Sequence, residues 1–125
     1  MDIYSLSKEI NKNAHQKGFW EENYNTAEKL ALIHSEVSEA LECDRKGRYA
    51  DPCDKILQPC YVIIDEEAFA KDFEAKVKDT FEDELADIVI RVFDLAFEKG
   101  IDLENHIELK MMYNKTRPYK HGKKY

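Results

Sequence analysis

The chain has 125 residues, 43% of them apolar, and a formal net charge of −7. That length suits one domain with a real core, and the apolar share excludes a disordered polymer. The acidic balance argues against a general nucleic-acid binder, and no apolar run approaches the length of a membrane span.

The first predicted helix covers roughly residues 2–17 and stops near Gly18. Its opening, Met1-Asp2-Ile3-Tyr4-Ser5, has neither the basic nor the apolar region of a secretory signal. A cytoplasmic location is therefore expected. Trp20, the only tryptophan, follows in Gly18-Phe19-Trp20. Its ring can stack on a base near a pocket, or it can be core, the commoner fate of a lone Trp. His15, just before it, is equally open.

The second helix is predicted over about 26–46, from Asn25 and Glu28 in a capping-box-like spacing to Gly47. Residues 48–66 have turn signals at Asp51-Pro52 and Gln58-Pro59. Within them Tyr61-Val62-Ile63-Ile64 reads as a short strand, a lid or a packing plug. The third helix begins near Glu67 and runs to Lys99, with a candidate break at Asp79-Thr80. The fourth starts after Asp102, a good N-cap, and continues to about Thr116, where Pro118 stops it. Cys43, Cys53 and Cys60 form no CxxC pair and read as reduced thiols.

Two acidic pairs stand out, Glu36-Val37-Ser38-Glu39 and Glu84-Leu85-Ala86-Asp87. Residues three apart are neighbours on a helix face, so each pair can aim two carboxylates at one point. Spacing alone is a weak signal. Position is stronger: Glu36 falls inside the apolar arc of Leu32, Ile33, Val37, Ala40 and Leu41, and Glu39 lies at its edge. Glu84 sits at the margin of the arc formed by Leu85, Ile88, Val92 and Leu95, and Asp87 just beyond it. A solvated acidic face would lie on the opposite side. Crowding unpaired carboxylates against a core is costly, and a bound cation removes that cost. Oxygen ligands without a soft partner favour Mg²⁺ or Mn²⁺. Calcium is disfavoured by the lack of an EF-hand loop, and a di-iron bundle by the lack of Glu-x-x-His pairs. An acidic helix surface without metal is the competing reading.

Residues 110–125 carry six basic side chains and no acid, leaving −13 on the rest. Lys110, Asn114 and Arg117 share one helix face and can hold phosphate or sugar. A merely hydrated basic face fits the spacing as well, and Lys123 and Lys124 suit a frayed terminus. Arg91 is one turn beyond Asp87 and can pair with it or reach a phosphate. Asp94, a turn further, can support the metal site or face water.

Together these residues resemble the MazG-like, all-α nucleotide pyrophosphohydrolase superfamily. The resemblance rests on ExxE at Glu36/Glu39, ExxD at Glu84/Asp87, the Lys-x3-Asn-x2-Arg ending at Lys110, Asn114 and Arg117, and Gly18-Phe19-Trp20. It spans nearly the whole chain. One departure is the 44-residue separation of Glu39 from Glu84, ascribed to an insertion or extended helix start at 48–78. The resemblance implies a single 1–125 domain, an all-α bundle of four to five helices completed as a homodimer or homotetramer. It further implies Mg²⁺-dependent hydrolysis of a nucleoside triphosphate to monophosphate and pyrophosphate, with Mn²⁺ a substitute. Glu36, Glu39, Glu84 and Asp87 would hold metal and Glu39 would activate water. Trp20 would contact the base; Lys110, Asn114 and Arg117 would hold phosphate or sugar. Narrower relatives, of deoxyuridine triphosphatase or phosphoribosyl-ATP type, share these ligands. A silent metal-binding helical interaction module is the alternative outside enzymology.

Overall fold

The computed structural model describes residues 2–21 and 23–125. It is all-helical, with no strand among the described residues. The helices are α1 (Ile3–Gln16), α2 (Thr26–Lys46), α3 (Glu66–Lys76), α4 (Phe81–Glu98) and α5 (Leu103–Lys115), with 3-10 turns at Lys55–Leu57 and Tyr119–Gly122. None is long and apolar enough to cross a membrane.

Side-chain caps define most of the helix starts. Asp2 accepts from the Ser5 N–H, Asn25 from Ala27, Asp65 from Glu67 and Asp102 from Asn105. Gly47, at φ 67°, closes α2 in the left-handed conformation that a glycine adopts without strain. The long third segment expected from the sequence is two helices. α3 ends at Lys76, and Asp79 takes φ 60° before α4 begins. The break at Asp79-Thr80 is thus real, and it separates α3 from the acidic helix. Residues 61–64 make no strand; Val62 and Ile64 are 71% and 95% exposed, while the Tyr61 ring lies 6.2 Å from that of Phe69.

The chain forms two compact units, the described residues of Met1–Tyr24 with Val92–Tyr125, and Asn25–Arg91. In the first, α1 packs against α5. Ser7, Asn11 and Ala14 are buried along one face of α1, and Tyr4 meets Phe97 with ring centroids 5.7 Å apart. In the second, the inward face of α2 is Glu36, Ala40 and Cys43. Three backbone-linked contacts tie the end of α2 to the start of α4. The Phe81 N–H donates to the Arg48 carbonyl (2.9 Å), the Ala50 N–H to Glu82 Oε2 (2.8 Å), and the Cys43 thiol to the Asp79 carbonyl (3.4 Å). These bonds set the register in which the first turns of α4 face α2. All three cysteines are free.

The outward faces of the same two helices remain apolar. Leu30, Val37 and Leu41, spaced seven and four apart, form a stripe along α2, each about half exposed. Leu85 and Val89 do the same on α4.

Candidate metal centre

Glu36 and Glu39 project from adjacent turns of α2, and Glu84 from the first turn of α4. Carboxylate oxygens of the three lie within 4.8 Å of one another. Glu36 and Glu84 are buried, at 6% and 5% exposure, while Glu39 faces solvent. Three of the four acids singled out in the sequence thus converge. Asp87 is not part of that group of three. It is half-buried, one turn along α4, and close enough to Glu36 and Arg91 for their charges to act on it.

The electrostatics record the crowding. Burial first, then the charges of Glu39, Glu36 and Asp87, push the Glu84 carboxyl from 4.5 up to about 7. Glu39 is also raised, foremost by its hydrogen bond with Glu36 and then by the Glu36 charge. Asp87 is raised by burial and by Asp83 and Glu36, with Arg91 opposing. Arg91 does not pair with Asp87 as a one-turn spacing suggests. Its Nε donates to Glu36 Oε1 at 2.6 Å, a charge-assisted bond between the two helices. The protein therefore already offsets part of its own carboxylate repulsion with a cation.

An all-oxygen donor set suits a hard divalent ion. Two magnesium–oxygen bonds of about 2.1 Å laid end to end span about 4.2 Å. A cluster no wider than 4.8 Å fits that ion with small side-chain adjustments.

The other sequence candidates lie in the first unit. Trp20 is 8% exposed, and its indole N–H lies 3.0 Å from both Asp94 oxygens. Its ring is stacked near His15 and meets Tyr24 edge-on, with centroids 6.0 and 4.7 Å away. Asp94 also accepts from Asn11 Nδ2 (2.9 Å), so it is held in a part-buried polar network with Asn11 and Trp20. His15 pairs with Glu98 at 2.7 Å. On α5, Lys110 Nζ and the Arg117 guanidinium both lie over the ring of Tyr113, at 5.1 and 5.5 Å. Asn114 Oδ1 is buried with no hydrogen-bond partner among the described residues, an arrangement that calls for a donor.

Sequence reasoning missed two features. Tyr113, which gathers the two cations, had no signal beyond its place between them. The α3 aromatics Phe69 and Phe73, 6.0 Å apart, had one: an i, i+4 aromatic pair on a single helix. No family model, curated protein or solved structure matches this chain.

Proposed function

We propose that the protein is a divalent-cation-dependent nucleoside triphosphate pyrophosphohydrolase of MazG-like type, converting NTPs or dNTPs to monophosphate and pyrophosphate in nucleotide-pool housecleaning. The observation that carries this reading is the convergence of Glu36, Glu39 and Glu84, two of them buried, on one point. A buried acidic cluster held by two helices is unstable against its own repulsion and is relieved by Mg²⁺ or Mn²⁺. Asp87, the fourth ligand that the resemblance implies, stands one turn further along α4, outside that group of three.

A cation held there supplies charge neutralisation for the phosphate oxygens and acidifies the attacking water. The remaining work falls to side chains. Water adds to the α-phosphorus as the bond to the bridging oxygen breaks, and pyrophosphate leaves with that oxygen. Glu39 takes the water's proton; its exposure and raised pKa suit a group poised to accept one. On the resemblance alone, Lys110, Asn114 and Arg117 would hold phosphate or sugar and Trp20 would contact the base.

The test is pyrophosphate release from a panel of NTPs and dNTPs, with Mg²⁺ or EDTA, for wild type, Glu36→Gln and Glu39→Gln. Metal-dependent monophosphate and pyrophosphate, lost in Glu36→Gln, is the expected result. Full turnover by Glu39→Gln removes its assignment as base. No product from any nucleotide, with clear Mg²⁺ stabilisation, would leave a metal-binding helical module instead.

The apolar stripes of α2 and α4 support a homo-oligomer, since half-exposed leucines and valines in register gain by pairing with a second copy. Sedimentation velocity should report a dimer or tetramer at micromolar concentration. A monomer whose coefficient does not change with concentration would overturn that assignment.

A further inference from the structure

Beside the carboxylate cluster, within the Asn25–Arg91 unit, α3, the 3-10 turn and α4 enclose an open groove of about 750 Å³. Its apolar lining comes chiefly from Leu57, Phe69, Phe73, Val77 and Ile90. Three of its carboxylates come from one helix: Glu82, Asp83 and Asp87. Most of this lining belongs to residues 48–78, the stretch that sets the chain's acidic pairs unusually far apart.

The groove and the carboxylate cluster are adjoining faces of α4. At roughly 100° per residue, Asp83, Asp87, Arg91 and Glu84 follow one another around the helix within about 100°. Asp83 lines the groove and Glu84 belongs to the cluster. Asp87 lies between them: it lines the groove and also feels the Glu36 charge. On a helix about 10 Å across, that arc is roughly 5–9 Å long. A ligand with a polyanionic end and a flat, mostly apolar end joined by a sugar spans such a step.

We propose that this groove receives the nucleobase of the triphosphate held at the cluster, and that it selects bases bearing an exocyclic amino group. The inference rests on the pyrophosphohydrolase reading and replaces Trp20 as the base contact. Trp20 is nearly buried, with its N–H on Asp94 and neighbours at its ring. The groove instead offers open aromatic surface, and its volume falls in the range of ligand pockets. Selectivity follows from its polar groups. Ionised carboxylates only accept hydrogen bonds. Glu82 is engaged by the Ala50 N–H and Asp87 is assigned to the metal, so Asp83, with the exposed Glu74, is the acceptor at hand, while the Lys78 ammonium of the lining lies 3.5 Å from the Asp79 carboxylate. The Asp79 N–H donates to Asp83 Oδ2 at 3.0 Å, which fixes that carboxylate and leaves Oδ1 outside the bond. Adenine, cytosine and guanine present amino donors to such an edge. Uracil and thymine present carbonyls on both sides of their single ring N–H, and carboxylates repel those.

The experiment measures kcat and KM for ATP, GTP, CTP and UTP with wild type, Phe73→Ala, Phe73→Leu and Asp83→Asn, each checked for native circular dichroism and sedimentation. Wild type should prefer the three amino-bearing bases over UTP by about tenfold or more in kcat/KM, the scale of one good hydrogen bond to a base edge. Phe73→Ala should raise KM about tenfold for every base, the lower range of a lost base–aromatic contact, with Phe73→Leu in between. Asp83→Asn, which gains a donor, should bring the CTP-to-UTP ratio close to one. Turnover with no base preference, or with KM unmoved in the Phe73 variants, overturns the groove assignment and leaves the pyrophosphohydrolase reading standing. Unmoved KM with an altered sedimentation coefficient would make the groove a contact between copies and likewise overturn it. Absence of turnover from every nucleotide in wild type overturns the parent reading and this one with it.

Discussion

Arg91→Ala should lower the stability of the metal-free protein by about 3 kcal/mol at pH 8, the low end for breaking a buried ion pair. Arg91 is partly exposed, so the low end applies. For a domain of this size the melting temperature should fall by about 10 °C. The physical reason is electrostatic. Glu36, Glu39 and Glu84 crowd one point, and the Arg91 guanidinium at 2.6 Å from Glu36 is the protein's own counter-charge there. Removing it leaves like charges facing each other in a buried site. Two features separate this from a simple loss of packing. The deficit should shrink as pH falls toward 5, because Glu84 and Glu39, whose carboxyl pKa values are raised, then take up protons. It should also shrink in Mg²⁺, since an ion that binds the variant's unpaired carboxylates more tightly adds more to its native state than to that of wild type. The Mg²⁺-induced rise in melting temperature should be larger in the variant than in wild type, because Arg91 no longer competes for Glu36. Thermal scans at pH 5 and pH 8, with EDTA or 10 mM Mg²⁺, give the answer. An equal deficit under all four conditions would mean that Arg91 acts through its aliphatic stem alone.

Much of the helical layout was legible because its signals are local. Asn25 and Asp102 cap helices, and Gly47 and the Asp79-Thr80 step end or break them, as their side chains and backbone preferences dictate. The acidic pairs were legible for a related reason. Carboxylates three apart that sit toward an apolar arc are anomalous in one dimension before any fold is known. What stayed hidden depends on contacts between distant residues. Arg91 is four residues from Asp87, and a one-dimensional reading favours that partner. Its mate is Glu36, 55 positions away, because the bonds from Arg48, Ala50 and Cys43 bring the start of α4 against α2. Asp94 was ambiguous for the same reason: only the fold brings Asn11 and Trp20 to it. Residues 48–78 were the least legible. Short apolar runs carry no period, and the aromatic lining of the groove exists only once α3 lies beside α4.

Glu84→Gln should make the metal-free protein more stable and the metal-loaded protein less responsive. Glu84 is buried, and that burial pushes its carboxyl from the ordinary 4.5 up to about 7 in the folded state. Between those values the folded state holds a proton that the unfolded state has released. Folding is therefore favoured at the acid end of this window, and stability declines as pH rises through it. Above pH 7 the full penalty applies, on the order of 3 kcal/mol. An amide never ionises, so Glu84→Gln escapes the penalty. Denaturant melts of the metal-free proteins should nearly coincide at pH 4.5 and diverge above pH 6, with the variant the more stable. Mg²⁺ should reverse the order. It binds the ionised carboxylate, so wild type recovers stability at pH 8, whereas the variant has lost a buried ligand and gains little. On the pyrophosphohydrolase reading the same substitution should lower turnover at least a hundredfold. The residue most costly to the empty fold is then the one the metal centre most needs, as expected where a site is stabilised by its ligand and not by itself. Parallel pH profiles for the two proteins without metal would mean that Glu84 is solvated in solution, and would leave the cluster without the repulsion that makes a cation favourable.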